Sequence, residues 1–69
     1  NKPLAFENFL KAGQGGSLKS LYNAALMLER GDGIKRDLER ALALYREAAQ
    51  KGSQAAQSRL SILEGPQKP

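Results

Sequence analysis

Two stretches of this chain lie over one another at an offset of 36 residues. The segment "AFENFLKAGQGGS" (5–17) matches "ALALYREAAQKGS" (41–53), with Ala5 over Ala41, Ala12 over Ala48, Gln14 over Gln50, Gly16 over Gly52 and Ser17 over Ser53. Phe6 faces Leu42 and Phe9 faces Tyr45, while further on Leu26 faces Ile62 and Met27 faces Leu63. The identities are few. They fall at small residues, at caps and along an apolar stripe, which are the positions packing controls. A period in this range signals helical hairpins stacked into a solenoid.

Local patterns give the same answer. Leu38, Ala41, Leu42, Tyr45, Ala48 and Ala49 recur at the spacing of one buried helix face. Asp37 reads as the N-cap of that helix and Gly52 as its stop. The helix before it is capped by Ser17 and ended by Gly31. Leu18, Leu21, Tyr22, Ala24, Ala25 and Leu28 make it apolar over much of its circumference, as in a helix contacted on two sides. Ser53 opens a third helix with Ala56, Leu60 and Leu63 on its stripe, closed by Gly65 and Pro66. Near the N-terminus, Pro3 suits a first helical turn, and Ala5, Phe6, Phe9, Leu10 and Ala12 continue a stripe. No segment alternates as a strand does. The expectation is an all-α fold, an α-α hairpin solenoid of about two repeats. Its four short antiparallel helices fall at about 3–15, 17–30, 37–51 and 53–64, with connections of about two to six residues.

With 69 residues the chain supports one domain at most, expected over 1–65, with 66–69 as a disordered tail. A chain this short buries only about 60 % of its unfolded surface. Hydrophobic residues at 41 % and charged residues at 26 % are ordinary for a globular chain. Cysteine is absent, which removes disulfides and thiolate metal sites, and histidine is absent too, which removes the usual neutral-pH base. The net charge of +4 is mild, and the signs are interspersed, as in "KRDLER". No apolar run approaches the roughly 18 residues of a membrane span. The start at Asn1, without methionine or signal peptide, reads as an excised piece of a longer protein.

The stretch "SLYNAALMLERGDGIKRDLERALALYREAAQKG" resembles a Sel-one-like repeat, a relative of the tetratricopeptide repeat. Gly31, Gly33, Ile34, Asp37, Ala41, Tyr45, Ala48, Ala49 and Gly52 match the family pattern in order and spacing. In the first-helix half, Ser20, Ala24, Ala25 and Leu28 replace the usual residues but keep the positions small or apolar. The resemblance implies the second helix of one repeat, a complete repeat over 17–52, and the first helix of another. It also implies a non-catalytic adaptor or scaffold within a longer bacterial protein, in the cytoplasm or the periplasm and envelope alike.

Other chemistries find little support. Glu29, Asp32, Asp37 and Glu39 cluster around the loop, but "DGIKRDLE" lacks the alternating ligand order of a calcium loop. The glycines of "GQGGSLKS" precede a helix, yet they form neither a dinucleotide fingerprint nor a phosphate loop, and no strand precedes them. Ser17, Ser20, Ser53, Ser58 and Ser61 have no histidine to activate them. The expectation is no enzyme, no metal and no cofactor. Lys35, Arg36 and Arg40, with Arg30, surround the hairpin loop as a candidate anion-binding end; no aromatic residue sits among them in sequence to stack on bases, so nucleic acid is disfavoured.

By analogy with tetratricopeptide repeats, the first helix of each hairpin lines a concave groove for a peptide or protein partner. The positions matching that lining are Lys19, Tyr22, Asn23, Leu26, Glu29 and Arg30, extended by Ser58, Arg59 and Ile62. Tyr22 and Leu26 are the candidate anchors, with core packing as the alternative for both. A structural spacer or capping segment is the competing function. Stacked repeats are usually stable only when about three or more adjoin. The outer faces of the first helix (Phe6, Phe9) and the last (Leu60, Ile62, Leu63) are therefore expected to be partly uncovered, giving marginal stability or a homodimer through exposed repeat ends.

Overall fold

Each helix begins where a short polar side chain can satisfy its free amides. The computed structural model describes residues 1–65, and the tail expected at 66–69 lies outside the described residues. The chain is all-α, with α1 at Lys2–Gln14, α2 at Leu18–Arg30, α3 at Leu38–Gln50 and α4 at Gln54–Glu64. The side chains of Asn1, Ser17, Asp37 and Ser53 accept from the amides of Leu4, Ser20, Arg40 and Ala56 at 3.1–3.2 Å. Every boundary falls within one residue of the sequence expectation.

The internal repeat is visible in the backbone. After α1, the Ser17 amide donates to the Ala12 carbonyl at 3.0 Å; after α3, the Ser53 amide donates to the Ala48 carbonyl at 2.9 Å. Gly16 and Gly52 take φ of 114° and 111°, which lets the chain reverse within two residues of each helix. The α2–α3 connection is different. It runs from Gly31 to Asp37 and is longer than the expected two to six residues. Gly31 (φ 67°) closes α2, its amide donating to the Met27 carbonyl at 2.8 Å, and the Asp37 amide returns to the Leu28 carbonyl at 2.9 Å. At Gly33 (φ 76°) a Cβ would stand 2.3 Å from the Lys2 Cβ, so the glycine gives both the turn and the close approach of α1.

The helices pack in chain order, α1 on α2, α2 on α3 and α3 on α4. The core is Phe6, Leu21, Ala24, Ala25, Leu28, Ala41, Leu44, Tyr45, Ala48 and Ala56, half of it alanine. Small residues let axes approach closely, at the cost of apolar area per residue. Three sequence expectations are corrected. Ala12 belongs to the apolar stripe of α1 but is exposed, because α1 turns Phe6 and Gly13 toward α2 instead. Phe6, expected at an uncovered outer face, is only 9 % exposed. On α3 the buried face is Ala41, Leu44, Tyr45 and Ala48; Leu38, Leu42 and Ala49 are half-buried, because the stripe is rotated toward α2.

Gly13 is the tightest point of the α1–α2 seam. A Cβ there would lie 2.6 Å from Leu21 Cδ2 and 2.8 Å from its Cγ, and Leu21 is fully buried. Gly13→Ala therefore loses more in overpacking, about 1–3 kcal/mol, than the roughly 1 kcal/mol it gains in helix propensity. Thermal melting by circular dichroism should show a lower Tm for the variant; an equal or higher Tm would refute the close contact.

Candidate interaction surface

Helix α2 has two faces of opposite use. Leu21, Ala24, Ala25 and Leu28 are buried on one. At 3.6 residues per turn, Lys19, Tyr22, Asn23, Leu26, Glu29 and Arg30 fall on an arc of about 120° on the other. Lys19 and Arg30 are exposed, while Tyr22, Asn23, Leu26 and Glu29 are half-buried. On α4, Ser58 is exposed, Ile62 is 67 % exposed and Arg59 is half-buried.

These nine side chains do not form one free surface. Glu29 and Arg59 are engaged with each other. Arg59 Nε donates to Glu29 Oε1 at 2.9 Å and Arg59 Nη2 to Oε2 at 2.5 Å, a bidentate pair across 30 residues of sequence. The Tyr45 hydroxyl donates to Glu29 Oε1 at 2.8 Å. The bond from Arg59 holds the Glu29 carboxyl below the usual carboxylate range, against an opposing effect of burial, and the Tyr45 bond adds to the lowering. Burial first, and the Glu29 carboxylate second, raise the Tyr45 phenol far above its ordinary value. The same carboxylate raises the Arg59 guanidinium. Tyr22 leans on this knot, its ring centroid 5.6 Å from that of Tyr45 at an interplanar angle of 56°.

Asn23, Leu26 and Arg30 face the other way, into a cleft of about 320 Å³ between α1 and α2. Ala5 and Phe9 of α1 and Met27 of α2 complete its apolar walls, and the Lys2–Asp32 ion pair at 2.5 Å stands at one end. Sequence reasoning gave no groove role to Ala5, Phe9 or Met27. The signal lay in the register, since Phe9 aligns with the buried Tyr45.

The basic hairpin end borders a second, open cleft of about 700 Å³ between α1, the long connection and α3. Phe6, Leu10, Leu28 and Ile34 provide its apolar side. Arg36 Nε donates to the Glu29 carbonyl at 2.9 Å, and the Arg40 guanidinium lies 5.5 Å from the Phe6 ring centroid. Lys35 is exposed, and Glu7 and Asp37 bring opposite charge to the same cleft. Among the described residues no group of three or more acidic side chains converges as a cation site.

Helical hairpins stacked side by side, with one polar knot between successive units, define a solenoid of the tetratricopeptide kind. The Sel1 repeat family profile matches residues 1–17 and 18–53, and the chain belongs to the Sel1 repeat family. No curated protein and no solved structure matches the chain. Sel1 repeats generally serve in protein–protein interaction and are typically non-enzymatic. Among the described residues no helix is long and apolar enough to cross a membrane.

The knot yields two predictions. Tyr45→Phe keeps the ring and removes one bond to a carboxylate, so it should cost about 1 kcal/mol, or roughly 4–8 °C in Tm for a chain of this size. Glu29 is the group with a depressed folded-state pKa, so its contribution to stability is present above its ordinary value of 4.5 and is lost as pH falls through the lower folded value. Glu29→Gln should therefore melt below the wild type at neutral pH, with the gap narrowing as pH falls below 4.5. A gap independent of pH would show that the ion pair contributes nothing.

Proposed function

We propose that this chain is a non-catalytic interaction module, an adaptor or scaffold element. Its partner-facing surface is the free arc of α2, centred on Asn23 and Leu26. The observation that carries this reading is the cleft between α1 and α2. It joins an apolar floor to an amide side chain and to the cation of Arg30, and among the described residues the ion pairs leave Asn23, Leu26 and Arg30 uncommitted. Lys19 adds an exposed cation on the same arc. Such a surface suits a peptide segment that carries an apolar side chain beside an acidic one, its backbone held by Asn23. Tyr22 contributes its exposed edge and Ser58 and Ile62 extend the surface, while Glu29 and Arg59 are held in the knot on the other flank of α2.

A second reading, self-association through repeat ends, is favoured by uncovered apolar side chains at both ends: Leu4 at 54 % and Ile62 at 67 % exposed. The first reading is tested by selecting binders from a random displayed-peptide library. The selected peptides are then measured by fluorescence anisotropy on the wild type, Asn23→Ala and Leu26→Ala. Loss of the Leu26 anchor should weaken binding about tenfold, as hot-spot truncations do, with Tm nearly unchanged. Equal affinity for all three chains would move the binding surface elsewhere.

A further inference from the structure

Two guanidiniums of this fold are held in place by groups that carry no charge. Arg36 Nε donates to the Glu29 carbonyl at 2.9 Å, and Arg40 lies 5.5 Å from the Phe6 ring centroid. A carbonyl and a ring fix where these cations stand without neutralising them. Lys35, next to them in sequence, is exposed. Among the described residues none of the three enters an ion pair, whereas Arg46 and Arg59 are both paired with carboxylates.

All three line the cleft of about 700 Å³ between α1, the connection and α3, a size in the range of ligand sites. The cleft is bounded on both sides by this chain. Helices α1 and α3 each pack on α2 and touch one another little, which leaves a trough between them. Leu28 of α2 and Ile34 of the connection line it between those walls. It shares no lining residue with the cleft on the free arc of α2.

Chemistry restricts the occupant. Leu10 and Ile34 are half-buried, so each keeps apolar surface open to the cleft beside the cations. A ligand that satisfies both brings an apolar group next to negative charge. Two acids limit how that charge is spaced. Glu7 is exposed on the α1 wall, and Asp37, whose Oδ1 accepts from the Arg40 amide, stands at the start of α3. A nucleic-acid backbone carries charge at every step and would meet those acids along its length. Nor is the Phe6 face that Arg40 covers free to stack on a base. A peptide can set carboxylates against the basic rim and turn an uncharged side toward Glu7.

We propose that this cleft binds an acidic peptide segment of a partner protein, with a large apolar side chain laid on Leu10 and Ile34 and carboxylates set on Arg36 and Arg40. It is a second contact, separate from the one proposed on α2, and stands or falls apart from it.

The probe is an end-capped peptide with one leucine between two pairs of glutamates. It is titrated into the isotope-labelled whole chain and followed by amide shifts in NMR spectra. Shifts should concentrate at residues 6–10 and 34–40. Lys35→Gln, Arg36→Gln and Arg40→Gln should each weaken binding about threefold, as loss of an exposed ion pair does, and high salt should weaken it further. Glu7→Gln removes a like charge and should tighten binding about twofold. Glu7 and Lys35 make no side-chain bond among the described residues, so this opposite pair reports on charge even where an arginine variant loses stability. Asparagine in place of the peptide's leucine should cost about tenfold. No shift at millimolar peptide, or equal affinity for all four variants, would overturn the proposal. Shifts confined to Asn23 and Leu26 would overturn it while supporting the contact on α2. Tighter binding of oligothymidylate or phosphatidylglycerol vesicles through the same cations would overturn the peptide as occupant.

Discussion

A fully buried tyrosine carries an obligation that organises three of the four helices. The Tyr45 ring belongs to the core of α3, but its hydroxyl cannot be left without a partner there. Glu29 of α2 meets it, and in doing so places a carboxylate whose side chain is only 10 % exposed. That charge in turn requires a cation, which Arg59 brings from α4 in bidentate form. The result is a chain of requirements running from core to surface, each step forced by the desolvation left by the previous one. Helix α4 depends on it most. Ala56 is its one fully buried residue, so apolar packing alone holds it weakly, and the guanidinium fork adds orientation that alanine cannot.

The interior is thin because it is built from alanine and glycine. Close axes leave little room for large side chains between helices. The larger ones, among them Phe9, Leu26, Met27, Ile34 and Leu60, stay half-buried along seams and rims. Apolar surface is thus displaced to the places where a partner can reach it. A structure of this type leaves apolar surface along its seams as a by-product of how it packs, since α2 does not bury both of its flanks.

Much of the fold could be read from residue order. Caps and glycine stops act within three or four residues, and all four helix starts depend on side chains local to them. The internal register could also be read, because the reversals at Gly16 and Gly52 use the same backbone bonds. What could not be read was rotation. The stripe of α3 allowed Leu42 as readily as Leu44, and only the direction of α2 decides for Leu44. The same ambiguity placed Ala12 inside and Phe6 outside. Glu29 and Arg59 looked like free groove side chains because nothing within a turn of either announces a partner 30 residues away. Their union followed from the superposition of two hairpins, a long-range fact, although Tyr45 in a core position was a hint that some acceptor had to come to it.

The turns at Gly16–Ser17 and Gly52–Ser53 are interchangeable joints. Each receives a helix of the α1 and α3 kind, reverses through a glycine at nearly the same φ, and delivers the chain to a serine that starts the next helix. The stretch from one joint to the other can therefore be copied and inserted at either without disturbing the backbone on both sides of the cut. Growth by duplication then comes in whole units, and each added unit inherits a finished junction at either end. A gene encoding such a chain can lengthen its product in frame-sized steps, with selection left to act on the seams and not on the turns.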